Sequence, residues 1–323
     1  MGDDMIDTLG VWFLIPISKA VLESWGFERH PKGKYFNMHY RLNISVGNGA
    51  VVTFTYLPYS YLRAPMLNLE FSLPHLLVGN NIHLVSNIEQ AVAQANECLP
   101  KVEGIPVLNL WDGVLYRLDV CYDHKVGDLV PFYIQALQAL EYSRRSTLPY
   151  TSQGVQYKNQ QVTTKFYDKH KESGNPAALG ILRQETSLRK VAIKKLTGLK
   201  RPTLRDITMD LTLDALEDNL RALNLSGRSI GTYDTSLQTL CDAYGTDAGF
   251  CYFGALAAIV EYPSRDVVTS ASGIHPRALD RRLKKVINAG LPLTLTRNKQ
   301  PLPPLVIERP DDNVSSAKAS VIK

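Results

Sequence analysis

A tight turn between two alternating segments restricts the fold of this chain most. Asn48-Gly49 is the pair preferred in a β-hairpin turn, and it separates the strand-like segments 35–45 and 50–57. In the second segment the side chains alternate between two faces, with Val51, Thr53 and Thr55 against Val52, Phe54 and Tyr56. The sequence therefore predicts an antiparallel hairpin at this point.

Other parts of the chain read as strands and helices with mostly hairpin-like connections. The further strand-like segments are 6–16, 66–71, 111–122, 160–167 and 179–188. Helical patterns cover 17–25, 72–79, 85–99 and 128–142. Because strands joined by hairpins pair antiparallel, we predict an α+β fold with a largely antiparallel central sheet flanked by helices, rather than a doubly wound parallel sheet.

The character of the sequence changes after about residue 189. Residues 188–200 are rich in lysine and arginine, and 203–290 show mostly helical patterns that start at Asp, Ser or Thr and stop at Gly. The final segment is rich in proline and then in Ser, Ala and Lys. We predict an α+β domain over 1–200, a helical, basic DNA-binding region over 201–300, and a Pro-rich arm with a disordered tail over 301–323.

Composition narrows the class of partner and the compartment. The 36 Lys and Arg residues exceed the 31 Asp and Glu residues, and this net charge of +5 favours a nucleic-acid partner over a cationic one. The four cysteines form no CxxC pair, which disfavours a structural zinc site and fits reduced thiols in the cytoplasm. The sequence predicts neither a signal peptide nor a transmembrane helix.

Residues 162–188 carry the most specific chemistry. Attack on a phosphodiester by a side chain needs a nucleophilic oxygen, positive charge near phosphorus, and usually a divalent cation held by carboxylates. Tyr167 is our candidate nucleophile, and strand alternation places Lys165 and Lys169 on its face. Lys171 adds a further positive charge. The segment thus predicts a nuclease that stays covalently attached to its product.

The candidate metal ligands are acids within or beside strand-like segments. They are Glu70, Asp119 and Glu185, and adjacent strands could bring them together around Mg²⁺ or Mn²⁺. Arg117 and Arg183 stand two residues before Asp119 and Glu185, so each shares a face with its acid. We expect these arginines, and Lys165, to balance charge or to contact DNA phosphates.

Simpler interpretations of the same residues stay open. A tyrosine in a strand most often serves packing, and an acid beside an arginine most often forms a structural salt bridge. No His-x-His pair is present to clamp a metal ion. The coincidence of these residues, rather than any one of them, favours the catalytic interpretation.

Five short motifs suggest a family. They are Met5-Ile6-Asp7, Leu73-Pro74 through Asn80-Asn81, Tyr116-Arg117-Leu118-Asp119, Phe166-Tyr167-Asp168-Lys169 with Glu172, and Leu182-Arg183 with Glu185. In order and spacing they resemble the filamentous bacteriophage gene II/X replication initiators and, more distantly, plasmid rolling-circle initiators. The resemblance covers roughly residues 5–190. The chain lacks the His-hydrophobe-His metal motif of the better-known rolling-circle nucleases.

The resemblance implies an origin-specific enzyme that nicks one strand of phage DNA and later closes it. It implies a 5′-phosphotyrosine link at Tyr167, with Lys169 and Glu172 accompanying the nucleophile and Asp119 and Glu185 as metal ligands. The implied partners are double-stranded and single-stranded origin DNA, a host polymerase and a host helicase, in the cytoplasm of a bacterial cell. The oligomeric state stays open, and so does the question whether a second tyrosine, such as Tyr150 or Tyr157, takes part in closure.

Basic segments outside the motif are candidate DNA contacts, because lysine and arginine contacts with phosphate supply most DNA affinity. They include Arg144 and Arg145, then Arg189, Lys190, Lys194 and Lys195, and finally Arg281 and Arg282. The last two lie in a segment, 272–290, that reads as a turn followed by a basic helix and resembles a helix-turn-helix. An ordinary solvated basic helix fits the same pattern.

Two other functions remain open at the level of sequence. A conjugative mobilisation nickase would use the same tyrosine chemistry on a transfer origin. A non-catalytic DNA-binding regulator of phage replication would keep the fold without the reaction. Replacement of Tyr167 by Phe separates the enzymes from the regulator, since only an enzyme loses covalent attachment to DNA.

Overall fold

The structure is a computed structural model that describes residues 6–30, 39–60, 62–82, 87–150, 153–262 and 264–309. Parts of several predicted features lie outside these residues: Met5, the start of the strand at 35–45, the start of the helix at 85–99, residues 151–152 of the basic stretch and the tail from 310 onward. Within the described residues the fold is α+β, as predicted.

Ten described strands form a single antiparallel sheet in the order β2-β3-β4-β5-β1-β6-β10-β9-β8-β7. The strands are β1 (Ile6–Phe13), β2 (Glu28–His30), β3 (His39–Ser45), β4 (Val51–Leu57), β5 (Met66–Ser72), β6 (Val114–Lys125), β7 (Ser146–Pro149), β8 (Gly154–Lys158), β9 (Val162–Asp168) and β10 (Ile181–Arg189). The predicted hairpin is confirmed: β3 pairs with β4 around a turn in which Asn48 has a φ of 66°.

Helices precede, interrupt and follow the strands. They are α1 (Lys19–Ser24), α2 (Leu73–Val78), α3 (Ile88–Cys98), α4 (Val130–Gln138), α5 (Lys169–Ser173), α6 (Lys190–Thr197), α7 (Met209–Ala222), α8 (Tyr233–Tyr244), α9 (Thr246–Glu261), α10 (Arg265–Ser272) and α11 (Pro276–Asn288). The Ser18 side chain caps α1 by accepting a hydrogen bond from the backbone N–H of Val21. None of the described helices has both the length and the apolar character needed to cross a membrane.

The two faces of the sheet differ in chemistry because the side chains alternate along each strand. One face is apolar and packs beneath helices in two large clusters. The first cluster joins strands such as β1, β5 and β6 to α3, α6 and α7, and the second joins β8 and β9 to α4, the end of α7 and the segment near Leu302 and Leu305. The opposite face carries the predicted site residues.

A β-bulge alters this alternation where β1 meets β6. The register shifts between Gly10 and Val11, and two consecutive residues of β6, Tyr116 and Arg117, lie against Gly10. A Cβ atom at Gly10 would come within 2.8 Å of both side chains, so only glycine leaves room for them. The bulge thus adds an aromatic ring to the polar face beside the charged residues.

The C-terminal helices pack among themselves. Two small apolar clusters lie between α8, α9, α10 and α11, with Leu256, Leu279 and Val286 among the buried members. Helix α7 instead packs on the sheet, where Asn219 contacts Thr164 and Thr186 through side-chain hydrogen bonds. The division of the chain at residues 200 and 300 stays a prediction.

Candidate active site on the polar face of the sheet

Strand pairing brings the central residues of the site into adjacent rows. Glu185 on β10 is paired with Cys121 on β6 and with Lys165 on β9. In the next row Tyr167 is paired with Arg183. Because paired residues of an antiparallel sheet point to the same face, these five side chains share the polar face.

The Tyr167 hydroxyl group donates a hydrogen bond to Glu185 Oε2 at 3.1 Å. The side chain is only 2% exposed, and the Tyr150 ring lies against it with 5.2 Å between the centroids. Burial raises the pKa of the Tyr167 hydroxyl well above its ordinary value of 10.0, and the Glu185 carboxylate raises it further. The resting tyrosine is therefore a neutral phenol placed next to a proton acceptor.

A second carboxylate lies next to Glu185. Among the described residues, Asp7, Cys121 and Glu185 form one group whose potential ligand atoms all lie within 4.8 Å of one another. Asp7 comes from β1 and accepts a hydrogen bond from Ser72 Oγ at 2.9 Å. Burial raises the pKa of Asp7, and the nearby Glu185 carboxylate adds to the shift. Two buried acids this close to each other favour a cation between them.

The donor set of this group fits a hard divalent cation through its oxygen atoms. Mg²⁺ is commonly held by one or two carboxylates and keeps several other positions for water and phosphate oxygens. Asp7 and Glu185 supply such carboxylates. Burial raises the pKa of the Cys121 thiol well above 9.0, which keeps it protonated and unsuited to a hard cation.

Of the three predicted metal ligands, Glu70, Asp119 and Glu185, the structure places only Glu185 in this group. Arg117 lies between the other two acids: its Nε donates to Asp119 at 3.0 and 3.1 Å, and its Nη1 donates to Glu70. The ion pairs with Arg117 occupy part of the acceptor capacity of both carboxylates. Asp119 still adjoins the group, since its charge and that of Glu185 repel each other.

Two lysines flank the tyrosine, but only Lys165 shares its strand, because β9 ends at Asp168 and Lys169 begins α5. Lys165 Nζ donates to Glu185 Oε1 at 2.6 Å, and Lys169 Nζ lies 5.9 Å from the centroid of the Tyr167 ring. Burial alone would lower the pKa of Lys165, but the Glu185 carboxylate raises it, so this lysine is charged. Lys169 is fully buried and donates to Glu172 Oε2 at 2.6 Å and to Asn81 Oδ1 at 2.8 Å.

Arg183, which was predicted to contact DNA, is buried and already paired in the structure. Its side chain is 0% exposed and forms a two-point ion pair with Asp123, with Nε and Nη2 at 2.6 and 2.7 Å from the carboxylate oxygens. It also donates to the backbone carbonyl oxygens of Asn81 and Ile82. Strand alternation gave the correct face, but the chain around residue 82 covers the guanidinium group.

The other predicted DNA contacts divide between surface and interior. Arg145 is half-buried and donates to Thr164 and Asn219, so it ties α7 to the sheet. Arg117 is also held, by its two acids. The remaining residues are exposed or half-exposed: Arg144, Arg189, Lys190, Lys194, Lys195, Arg281 and Arg282. Their contact with DNA stays a prediction.

Three residues of the site were not predicted from the sequence. Asp7 was quoted only as part of a motif, Cys121 was treated as an ordinary thiol, and Tyr150 was named only as one of two candidates for a second tyrosine. The other candidate, Tyr157, is fully buried on the apolar face and donates to the backbone oxygen of Leu137. Alternation from Asp119 to Cys121 on one strand was the available signal for the thiol.

Neither a protein-family model nor a curated protein sequence matches this chain. Among solved structures, the chain is similar to a rolling circle replication initiator protein from Geobacillus stearothermophilus. The two share 15% sequence identity, the comparison covers 67% of this chain and 83% of that chain, and the TM-score is 0.34. At that TM-score the likeness says nothing about the chemistry of this chain.

Proposed function

We propose that this protein cuts one strand of DNA with Tyr167, stays attached to the 5′ end, and later rejoins the strand. The observation that carries the proposal is the hydrogen bond of 3.1 Å from the Tyr167 hydroxyl to Glu185, a carboxylate within the Asp7–Cys121–Glu185 group. A nucleophile beside a base that is itself held in place is the arrangement used for covalent catalysis.

The reaction can be written with these residues. Tyr167 Oη attacks the phosphorus atom of a phosphodiester while its proton passes to Glu185, to which it is already hydrogen-bonded. The bond from phosphorus to the 3′ oxygen breaks, and that oxygen takes a proton from water to become a 3′-hydroxyl. Rejoining is the reverse: a 3′-hydroxyl attacks the phosphotyrosine, and the tyrosine leaves as a phenol.

Positive charge near the tyrosine suits the charge that develops on the phosphate. Lys165 and Lys169 supply it from the protein, one on the carboxylate and the other beside the ring. Mg²⁺ or Mn²⁺ held by Asp7 and Glu185 would stabilise further negative charge on the phosphate oxygens. Asp119 and Glu70 would act indirectly, by fixing Arg117 at the border of the site.

The nucleophile must be uncovered before it can react. Tyr150 lies over Tyr167, and Lys165 Nζ lies 4.8 Å from the centroid of the Tyr150 ring. Tyr150 belongs to the connection between the edge strand β7 and its neighbour β8, at one side of the sheet. We propose that DNA displaces the Tyr150 ring and takes its place against Tyr167.

We further propose that this reaction initiates and ends rolling-circle replication of phage DNA, as the motif resemblance implies. The DNA partner is then a double-stranded and later single-stranded origin, with host polymerase and helicase acting on the nicked product. The exposed face of α11, with Arg281, Lys284 and Lys285, is suited to contact duplex phosphates.

The decisive experiment compares Tyr167→Phe with the unaltered protein on a supercoiled circle that carries the chain's own coding region and its flanking DNA. With Mg²⁺ we expect the unaltered protein to give nicked circles and a nucleotide-linked peptide containing Tyr167 by mass spectrometry. Tyr167→Phe should lose both while binding the same DNA. Tyr262→Phe, which alters a tyrosine that is 47% exposed and far along the chain, is the matched control. Nicking that survives Tyr167→Phe, or a linked peptide from another tyrosine, would contradict the proposal.

A further inference from the structure

A cavity of about 460 Å³ opens on the polar face beside the candidate active site. Its lining includes Trp12, Tyr59, Asn68, Tyr116, Arg189 and Lys190. The volume falls within the range of roughly 300–1,000 Å³ that is usual for small-molecule sites. The cavity therefore has room for a planar group, and its lining combines aromatic rings, an amide and two basic side chains.

Two residues of this lining each carry a buried polar side-chain atom that has no hydrogen-bond partner among the described residues. These atoms are the indole Nε1 of Trp12, a residue that is only 5% exposed, and the amide oxygen Oδ1 of Asn68. Trp12 and Asn68 are paired directly across β1 and β5. A donor and an acceptor therefore lie on neighbouring strands. A buried polar atom without a hydrogen bond destabilises the protein, unless a ligand supplies the missing partner.

The aromatic rings of the cavity differ in how firmly they are held. Tyr116 is fixed by a hydrogen bond to Glu70 Oε2 at 3.2 Å and by its place in the bulge against Gly10. Tyr59 is 63% exposed and offers a free ring face at the rim. A nucleobase has a π-face for such a ring and an edge on which donors and acceptors adjoin.

The cavity is joined to the candidate active site through charged side chains. Arg189 Nη1 lies 3.9 Å from Glu70 Oε2, and Glu70 also binds Arg117, which in turn holds Asp119 next to Glu185. Arg189 is exposed enough to contact a phosphate while it keeps this contact with Glu70. A strand that places one phosphodiester at Tyr167 could thus run along the same face of the sheet.

We propose that this cavity binds an unstacked nucleobase of single-stranded DNA, with Tyr59 stacking on the base and with Trp12 Nε1 and Asn68 Oδ1 contacting its edge. The proposal rests on the proposed function in taking DNA as the partner. It goes further by assigning a base-contacting role to residues that neither the motifs nor the reaction use.

The test measures DNA binding without cleavage, in the full-length Tyr167→Phe protein. Fluorescence anisotropy compares labelled thymidine, adenosine and cytidine deoxyoligonucleotides with an abasic oligonucleotide of the same length and charge. We expect at least one base-containing strand to bind about 5- to 150-fold more tightly than the abasic strand, and Tyr59→Ala to remove most of that difference. Binding to the abasic strand should be unchanged, because its phosphates are still contacted.

A second variant keeps the fold and removes only one hydrogen bond. Trp12→Phe retains an aromatic ring but lacks the indole N–H, and we expect it to weaken base-dependent binding about 2- to 10-fold. Tyr262→Ala, which removes an exposed ring elsewhere, is the control and should bind like the parent protein. A free nucleoside monophosphate carries the same base without the strand. We expect an excess of it to compete poorly with the labelled oligonucleotide.

Several results would overturn the inference. One is equal affinity for the abasic strand and for every base-containing strand in the parent protein. Others are a loss in Tyr59→Ala that is the same for both kinds of strand, or binding of the free nucleotide as tightly as the oligonucleotide. Since no strand is cut in this assay, base-dependent binding lost in Tyr59→Ala supports the cavity whatever the outcome of the nicking experiment.

Discussion

Glu185 connects the chemical parts of the candidate site. Its carboxylate accepts a hydrogen bond from Tyr167, pairs with Lys165 at 2.6 Å and adjoins Asp7. One lysine offsets only part of the negative charge of the two acids, so a cation would complete the balance. The same imbalance makes Asp7 the residue at which metal binding and folding stability oppose each other.

Replacement of Asp7 by Asn should separate these two effects. Burial and Glu185 raise the pKa of Asp7, so its ionised form destabilises the folded protein at pH values above the ordinary pKa of 3.8. In buffer with EDTA we therefore expect Asp7→Asn to be at least as stable as the unaltered protein. With Mg²⁺ at 100 times its dissociation constant, the unaltered protein should gain about 2.7 kcal/mol, and Asp7→Asn should gain little.

Thermal unfolding with and without Mg²⁺ measures both effects. Asp112→Asn is the control, because that carboxylate is 68% exposed in the loop before β6 and should respond to Mg²⁺ like the unaltered protein. Equal Mg²⁺ stabilisation of Asp7→Asn and the unaltered protein would show that the ion is not held at Asp7.

The sequence predicted those residues whose place depends on strand alternation alone. Tyr167 and Lys165 lie on the same face because they are two residues apart on β9, and Glu185 joins them because β10 pairs with β9. Asp7 escaped prediction because the register of β1 shifts between Ile6 and Leu9, so its face does not follow from simple alternation. The burial of Arg183 could not be predicted, because alternation gives the face of a residue but not what covers it.

At the scale of elements, the bulge at Gly10 shapes the boundary between the candidate active site and the cavity. It places Tyr116 and Arg117 side by side on the polar face, where one lines the cavity and the other holds Asp119. A regular strand pair would send one of these side chains into the apolar core. The site therefore depends on a local irregularity of the sheet.

Gly10→Ala should disturb this arrangement. The new Cβ would lie 2.8 Å from Arg117 Cβ and from Tyr116 Cζ, and we expect the free energy of unfolding in urea to fall by about 1–3 kcal/mol. Gly47→Ala is the matched control: nothing lies within 4 Å of a Cβ there, and φ is not positive. An unchanged midpoint for Gly10→Ala would mean that the two side chains move aside without cost.

Most elements were predicted, but the strands at one edge of the sheet were missed. The segment after Arg144 and Arg145 was considered only for its basic residues, whereas it contains the edge strand β7 and its neighbour β8. The alternation of Val155 and Tyr157, which are both buried beside Phe166, was the overlooked signal. The two buried apolar residues determine the structure of this segment, because their burial contributes more to folding stability than its exposed charges do.

For the molecule as a whole, His124 marks where the sheet, α7 and the C-terminal segment meet. The imidazole Nε2 lies 3.1 Å from Gln184 Oε1, and the Gln184 amide donates a hydrogen bond to the backbone oxygen of Leu216. A hydrogen bond also joins the His124 ring to the backbone of Val306. Burial lowers the pKa of His124 from 6.5 to about 4. The folded protein therefore keeps this ring neutral in a pH range in which the unfolded chain protonates it.

This shift predicts a loss of global stability in acid. Above pH 6.5 the ring is neutral in both states and contributes no pH dependence, and as the pH falls from 6.5 to about 4 only the unfolded chain binds the proton. At 1.36 kcal/mol per pKa unit, the contribution lost is about 3 kcal/mol. Chemical unfolding at pH 7 and pH 4.5 should show a smaller acid loss in His124→Gln than in the unaltered protein. An equal loss in both would assign the acid sensitivity to other groups.

The general architecture could be predicted from the sequence, whereas the packing of the helices from α7 onward could not. The turn chemistry at Asn48-Gly49 and the alternating strands predicted a largely antiparallel sheet, and Gly stops predicted the later helices. That α7 would pack on the sheet depends on contacts such as Asn219 with Thr164, which join residues 55 positions apart. Such distant pairings leave no local pattern.

The Tyr150 ring, which lies against Tyr167 with 5.2 Å between the centroids, has a consequence for the lifetime of a cut strand. In the proposed reaction DNA takes the place of this ring, so the DNA itself would then keep water from the phosphotyrosine. Hydrolysis of that link would release the strand as a permanent break. A strand that shelters its own attachment point could stay joined until a 3′-hydroxyl arrives, and the energy of the opened bond would be conserved.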